Sequence, residues 1–255
     1  MKNKNDSGLN CVLKSFSQVE EAIKKLKNLG LSLHPDTIKS WDTWKIINFI
    51  NENAEKNANI LDVGCNGSPI LPLLKKLGFK NLYGCDVDLK IRKRRLLRRI
   101  KNKIVNENPD QILNEMLRNK DSFYHLTIQD LEKTNYEENF FDFISSLSVI
   151  EHGVNVSNYL SEMNRILKPG GFLLTSTDYW PKKIETKSNV YDRPGKDVIF
   201  DEIDIKEILA NSVKNYFSLY GQMNFDFQDK VVKWKKTGKE YTFIFFCLQK
   251  ITDSN

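Results

Sequence analysis

No stretch of the 255-residue sequence approaches the roughly 18 consecutive apolar residues that a membrane-crossing helix needs, so no membrane span is expected. The first fifteen residues are dominated by Lys, Asn, Asp and Ser and carry no apolar run, which leaves no pattern of a secretory signal. The four cysteines, Cys11, Cys65, Cys85 and Cys247, lie far apart and form no C-x-x-C pair. Neither a zinc site nor a disulfide framework is expected from them, and Cys65, Cys85 and Cys247 read as small buried hydrophobes. Internal repeats and low-complexity blocks are missing too. What these absences leave is a cytoplasmic globular chain, long enough for one large α/β domain or one domain with a helical extension.

Charge is present but unevenly spread. The formal net charge is +6, yet residues 90–103 hold nine basic side chains and no acidic one, so the rest of the chain is slightly acidic. A uniformly basic nucleic-acid binder has a different distribution. Leu96, Ile100 and Ile104 recur every four residues, which predicts an amphipathic helix with a cationic face, a basic insertion near 89–120. Such a run is commonly a solvated face; its functional alternative is attraction of an anionic partner.

Hydrophobic periodicity changes along the chain. After a polar tail, Val19, Ile23, Leu26 and Leu29 predict a helix over 17–29, ended by Gly30. A second helix runs through Trp41, Trp44, Ile47 and Ile50, with Asp36 as a candidate cap. From residue 59 onward short apolar runs alternate with helical patterns. Strands are expected at 59–63, 81–85, 123–128, 141–149 and 172–177, and helices at 70–77 and 157–167. A helix near 201–216, a strand near 217–221 and a final strand over 241–249 follow. The pattern predicts an α/β fold: a Rossmann-like, mainly parallel sheet with helices on both faces, an antiparallel C-terminal edge strand and a helical N-terminal extension. The division expected is a helical N-terminal cover, 1–57, and a sheet domain, 58–255.

In open parallel sheets ligands bind beyond the carboxyl ends of the strands. The first turn there is Asp62-Val63-Gly64-Cys65-Asn66-Gly67-Ser68. Its glycines permit positive φ and close approach of a ligand to the backbone. A dinucleotide fold asks for G-x-G-x-x-G, and Asp62 is awkward beside a pyrophosphate; it suits a ligand with an amino group and a positive charge. Asp86 ends the next strand, where a carboxylate accepts hydrogen bonds from ribose hydroxyls or, alternatively, caps the following helix. Asp130 follows the third strand, beside a ligand or as a surface turn residue. Ser148-Val149-Ile150-Glu151-His152 ends the fourth strand, and Arg165-Ile166-Leu167-Lys168-Pro169-Gly170-Gly171 turns the chain into the fifth.

This series over roughly residues 59–180 resembles the class I S-adenosylmethionine-dependent methyltransferases, whose first motif runs D-x-G-C-G-x-G. Asp62, Gly64 and Cys65 match it, Gly67 is one place off, and Asn66 and Ser68 stand where that family has glycine. The Glu-His ending of the fourth strand and the R-x-L-K-P-G-G turn match as well. His34-Pro35-Asp36 with Lys39-Ser40-Trp41-Asp42, residues 177–181, and residues 229–234 with Tyr241-Thr242-Phe243 resemble a subgroup associated with bacterial capsule and surface-glycan gene clusters. The resemblance implies S-adenosyl-L-methionine as cofactor, S-adenosyl-L-homocysteine as its product, and a donor site formed by Asp62, Gly64, Cys65, Gly67, Asp86, Val87, Gln129, Asp130, Leu131, Ser146 and Leu147.

The implied activity is O-methylation of a small polar or anionic acceptor, a sugar, sugar phosphate or phosphate-type group, in surface-polysaccharide biosynthesis. His152 is the candidate catalytic base, because histidine titrates near neutrality and the strand end is the right location. It alternatively orients the loop, and an acceptor that is already an anion needs no base. Trp41, Tyr179 and Trp180 are candidate walls of the acceptor pocket; Trp41 and Trp44 read first as core residues at helical spacing and alternatively as a lid over the donor. His34 and His125 read as structural. Two rival readings stand beside this one: an RNA methyltransferase that uses the basic helix, and a non-catalytic module that keeps the fold without donor binding.

Overall fold

The computed structural model describes residues 8–31, 33–34, 36–87, 124–186, 197–234 and 238–252. The basic segment near 89–120 lies outside these residues. The elements are β1 (Asn10–Val12), α1 (Phe16–Asn28), a 3-10 turn (Thr37–Lys39), α2 (Ser40–Asn53), β2 (Asn59–Val63), α3 (Ile70–Lys76), β3 (Asn81–Asp86), β4 (His125–Ile128), β5 (Phe141–Leu147), α4 (Val156–Ile166), β6 (Leu167–Tyr179), α5 (Glu202–Asn215), β7 (Phe217–Leu219), β8 (Met223–Asn224), β9 (Val232–Lys233) and β10 (Glu240–Lys250).

The sheet runs β4-β3-β2-β5-β6-β10-β1-β8, with β7 and β9 also paired to β10. The first five strands of this order are mutually parallel. β10 runs antiparallel to β6, and the short strands β1 and β7 finish the sheet on its far side. Strand alternation divides the core in two. Along β10, Phe243, Phe245 and Cys247 face the layer that holds Ile46, Phe49, Ile70 and Leu74. Ile244, Phe246 and Leu248 face the layer that holds Tyr159, Met163, Ile205 and Leu209. Helices therefore cover both faces. Among the described residues no helix is long and apolar enough to cross a membrane.

Two elements depart from the sequence expectation. The polar tail contains a buried strand: Asn10 is 0% exposed, its amide nitrogen donates to the Tyr220 carbonyl at 2.8 Å, and its amide oxygen accepts from the Cys247 backbone at 2.8 Å. A residue that reads as polar is thus fully satisfied inside the sheet. Lys168-Pro169-Gly170-Gly171 does not break the chain between helix and strand. It is part of β6, as an irregularity where the pairing steps from Phe141/Leu167 to Phe143/Phe172. Gly170 takes φ +78° there.

All four cysteines are buried and free. The Cys65 amide donates to the Cys85 carbonyl at 3.1 Å, and burial pushes both thiols up, away from thiolate chemistry.

A buried ion pair, Lys39–Asp42, sits at the start of α2 and meets the ends of β5 and β6 through the hydroxyls of Ser148 and Ser176. Asp42, fully buried, accepts from Lys39 Nζ at 3.3 Å, from Ser176 Oγ at 3.0 Å and from the Thr43 amide at 2.9 Å. The Lys39 amine also contacts Ser148 Oγ and lies 3.5 Å from the Phe243 ring centroid. Burial pulls this amine's pKa down, but the carboxylates of Asp42, Asp178 and Glu151 outweigh it and hold the amine charged. Removing one partner of such a pair leaves an uncompensated buried charge. Asp42→Ala is expected to cost about 3 kcal/mol in urea unfolding. Lys168→Ala breaks the half-exposed pair with Asp142 and is expected to cost less than about 1 kcal/mol.

Candidate active site

A cleft of about 450 Å³ opens beyond the carboxyl ends of β2, β3, β4 and β5. This is the size of an ordinary small-ligand pocket, and the sheet reverses strand order there, between β2 and β5. Its floor is the turn after β2. Gly64 takes φ +66°, and a Cβ built on it meets Val149 Cγ2 at 2.5 Å, so only glycine fits. The turn folds back on β3: the Asn66 amide donates to Asp86 Oδ2 at 3.0 Å, and the Ser68 hydroxyl accepts from the Ile70 amide at 3.2 Å as α3 begins. Asn66, Gly67 and Ser68 all line the cleft, so the positions that depart from the sequence motif remain part of its wall.

Asp86 and Val87 line the next side. Val87 is 60% exposed, an apolar surface presented to the cleft. Leu131, buried, and Asp130 close the end beyond β4. One Asp130 oxygen accepts from the Glu132 amide at 3.0 Å, which is the turn role. Leu147 and the non-glycine residue Ser148, at φ +54°, supply the wall from the end of β5. Two further wall residues, His34 and Lys39, come from the N-terminal cover. His34, which reads as structural in the sequence, is thus a wall residue of the cleft.

Asp62, Cys65 and Ser146 are buried and do not line the cleft. Gln129 does not line it either; its side chain ties Thr127 to the Asn135 amide. Asp62 accepts from Ser145 Oγ at 2.7 Å, while its Oδ2 has no hydrogen-bond partner. Burial raises its pKa to about 7, against the pull of the Ser145 and Ser68 hydroxyls and with a push from Asp86.

The folded Asp62 carboxyl therefore holds a proton that the unfolded chain, with a value near 3.9, gives up. Between about pH 4 and pH 7 the folded state binds more protons, so this residue's contribution to stability falls as pH rises through that window. Asp62→Asn keeps the acceptor for Ser145 and has no proton to lose. Chemical unfolding across the window is expected to show the variant gaining on the wild type, on the order of 3 kcal/mol by pH 7. A constant difference contradicts the assignment.

His152 lines the mouth of the cleft with its side chain 33% exposed. Its Nδ1 lies 3.0 Å from Asp197 Oδ1, and that carboxylate is 1% exposed. Asp197 lies 45 residues downstream, in a segment stitched to the strand tips. The Val198 amide donates to the Glu151 carbonyl at 2.8 Å, the Phe200 amide to the Asp178 carbonyl at 3.1 Å, and the Trp180 amide to the Phe200 carbonyl at 3.0 Å. Glu151, fully buried beside His152, accepts from Thr177 Oγ1 at 2.9 Å. Among the described residues no cluster of His, Cys, Asp and Glu is arranged to hold a metal.

The three expected acceptor walls are not brought together. Tyr179 is 0% exposed and belongs to one core layer, where burial pushes its phenol up. Trp180 packs against the opposite layer, edge-on to Phe227 at 5.1 Å. Consecutive strand residues point to opposite faces, so the two cannot wall one pocket. Trp41, 4% exposed, borders a different cleft of about 510 Å³, between α1, α2 and β1.

Residues 37–212 match the family model described as a methyltransferase domain. The chain belongs to this methyltransferase family. The matched span runs from the 3-10 turn into α5 and includes Lys39, the β2 turn, His152 and Asp197. The methyltransferase is also 31% identical over 136 residues to a ubiquinone biosynthesis O-methyltransferase, mitochondrial, of Dictyostelium discoideum. That match takes in 50% of this chain and 40% of the relative, so the chain spans less than half of the relative's length.

Solved structures share the fold. A phosphoethanolamine N-methyltransferase 2 of Haemonchus contortus in complex with S-adenosyl-L-methionine has a TM-score of 0.54 at 15% identity, covering 81% of this chain and 52% of the other. The cyclase SpnF has a TM-score of 0.55 at 14% identity, covering 93% and 94%.

Proposed function

We propose that this methyltransferase uses S-adenosyl-L-methionine, released as S-adenosyl-L-homocysteine, to O-methylate a small polar acceptor, a sugar or sugar phosphate of surface-polysaccharide biosynthesis, in the cytoplasm. The observation that carries this reading is the His152–Asp197 pair at the mouth of the cleft. The residues present fit the donor. Gly64 lets the turn pack against Val149 at the cleft floor, Asp86 stands at the strand tip suited to ribose hydroxyls, and Val87 and Leu131 offer apolar surface to a base. The Asp62 carboxyl, buried beneath the turn and protonated below about pH 7, is a group that a positive ligand above it would help to ionise. The segment around His34 and Lys39 acts as a cover, since both residues reach the cleft and limit the access of water.

When bound, the sulfonium supplies an activated methyl group, the C–S bond pair returning to sulfur as the acceptor oxygen bonds carbon. What remains for the protein is orientation and the proton. His152 takes that proton from the acceptor hydroxyl.

The Dictyostelium discoideum relative, an O-methyltransferase of ubiquinone biosynthesis, favours a second acceptor, a hydroxyl on a ubiquinone precursor, represented by simple phenols, which would use the same proton transfer. Calorimetry with S-adenosylhomocysteine, followed by tritiated-methyl transfer to sugar phosphates, to catechol-type phenols and to total RNA, tests both. Binding with label in the sugar set is the expected result. Label in the phenols alone moves the acceptor to the second reading, and label in RNA alone overturns both. No binding overturns the donor assignment.

A further inference from the structure

We propose that Asp197 is a positioning residue that makes Nε2 the basic nitrogen of His152, and so fits the site to an acceptor oxygen that still carries its proton. The inference rests on the proton-transfer reading above and deepens it. A neutral imidazole has one N–H, and a carboxylate only accepts. With Asp197 Oδ1 3.0 Å from Nδ1, the N–H belongs on Nδ1 and the lone pair on Nε2. When Nε2 takes the acceptor's proton, the O–H bond breaks, an N–H bond forms, and the ring becomes a cation facing the buried carboxylate that compensates it. The proton then passes to water.

A purely structural role does not account for this carboxylate. The segment that carries it is already tied down by backbone hydrogen bonds from Val198, Phe200 and Trp180. Asp197 itself is 3% exposed, and among the described residues its Oδ2 has no hydrogen-bond partner. A buried carboxylate with one hydrogen-bonded oxygen is costly unless its charge is used. Here the ring of His152 is where it is used. A phosphate oxygen, already anionic, has no proton to give, and the device is idle for it. Among the acceptors considered above, the pair therefore favours a sugar hydroxyl over a phosphate oxygen.

The chain has three histidines, His34, His125 and His152, which makes the tautomer directly readable. Nitrogen-15-labelled protein, saturated with S-adenosylhomocysteine and held at a pH where the ring is neutral, gives two-bond proton–nitrogen correlations that identify the protonated nitrogen. The His152 pattern is assigned by its disappearance in His152→Gln. The expected wild-type result is hydrogen on Nδ1. Asp197→Ala should return the ring to the Nε2–H form that free imidazole side chains prefer in water. Asp197→Asn, isosteric and able to donate as well as accept, should lose the exclusive Nδ1–H form and at least about tenfold in methyl transfer.

A wild-type ring protonated on Nε2 overturns the proposal whether or not any variant folds, as does an alanine variant that keeps hydrogen on Nδ1. If the tautomers are as expected but His152→Gln transfers methyl groups as fast as wild type, the base reading of the preceding section fails and takes the role of Asp197 with it.

Discussion

Replacing His152 with glutamine is expected to lower turnover by about 10²–10⁴-fold, the range that a positioned base contributes. Affinity for S-adenosylhomocysteine should stay within about twofold, since an interaction made only in the transition state affects kcat and not ground-state binding. The competing role, holding the loop, makes a different forecast. The loop after β5 is held by the His152 amide donating to the Val149 carbonyl at 3.1 Å and by the Val198 amide on Glu151, neither of which involves the imidazole. Glutamine keeps both backbone contacts. A loss confined to kcat therefore reports chemistry, whereas a parallel loss of donor affinity reports a displaced loop. Unchanged turnover with an acceptor that carries a hydroxyl removes His152 from the proton path.

The sheet was legible because its strands announce themselves by burial. Residues 59–63 and 141–147 are short, mostly apolar runs, among whose polar members Asp62, Ser145 and Ser146 are themselves buried, and they form β2 and β5. Glycine stops were legible for the same local reason: Gly30 takes φ +64°. Asp36 accepts from the Ile38 amide but caps the 3-10 turn, while α2 starts after Lys39 with no side-chain cap among the described residues. Long-range pairings were not. Asn10 enters the sheet because two backbone groups more than 200 residues away satisfy its amide. Asp197 reaches His152 through strand-like pairing of a segment whose spacing carries no periodic signal. Tyr179 and Trp180 were placed at the right strand end but could not be assigned to faces, because the face is set by the register Thr242/Tyr179 on β10. The same holds for Lys39, whose position depends on where Asp42 and Ser148 lie in three dimensions.

The second large effect is expected from a single methyl group. Gly64→Ala should weaken S-adenosylhomocysteine binding by at least about 30-fold, measured by calorimetry. Two costs add at this position. An alanine at φ +66° pays about 1 kcal/mol or more for left-handed backbone. Its Cβ meets Val149 Cγ2 at 2.5 Å, an overlap in a packed wall that costs about 1–3 kcal/mol to relieve. Neither side yields freely. The turn is tied to β3 through Cys65 and Asn66, and Val149 is 6% exposed at the end of β5. The strain therefore goes into displacing the turn, which is the cleft floor, and each 1.4 kcal/mol so spent is about tenfold in affinity.

Gly67→Ala is the control. Gly67 also lines the cleft and has φ +97°, but its added Cβ meets nothing within 4 Å, so only the backbone cost remains and the loss should be several-fold smaller. Val149→Ala in the Gly64→Ala background removes the methyl that is struck and should recover part of the affinity, while Val149→Ala beside Gly67→Ala recovers none. Wild-type affinity in Gly64→Ala would mean that the ligand does not use this floor, and that the glycine serves only the turn.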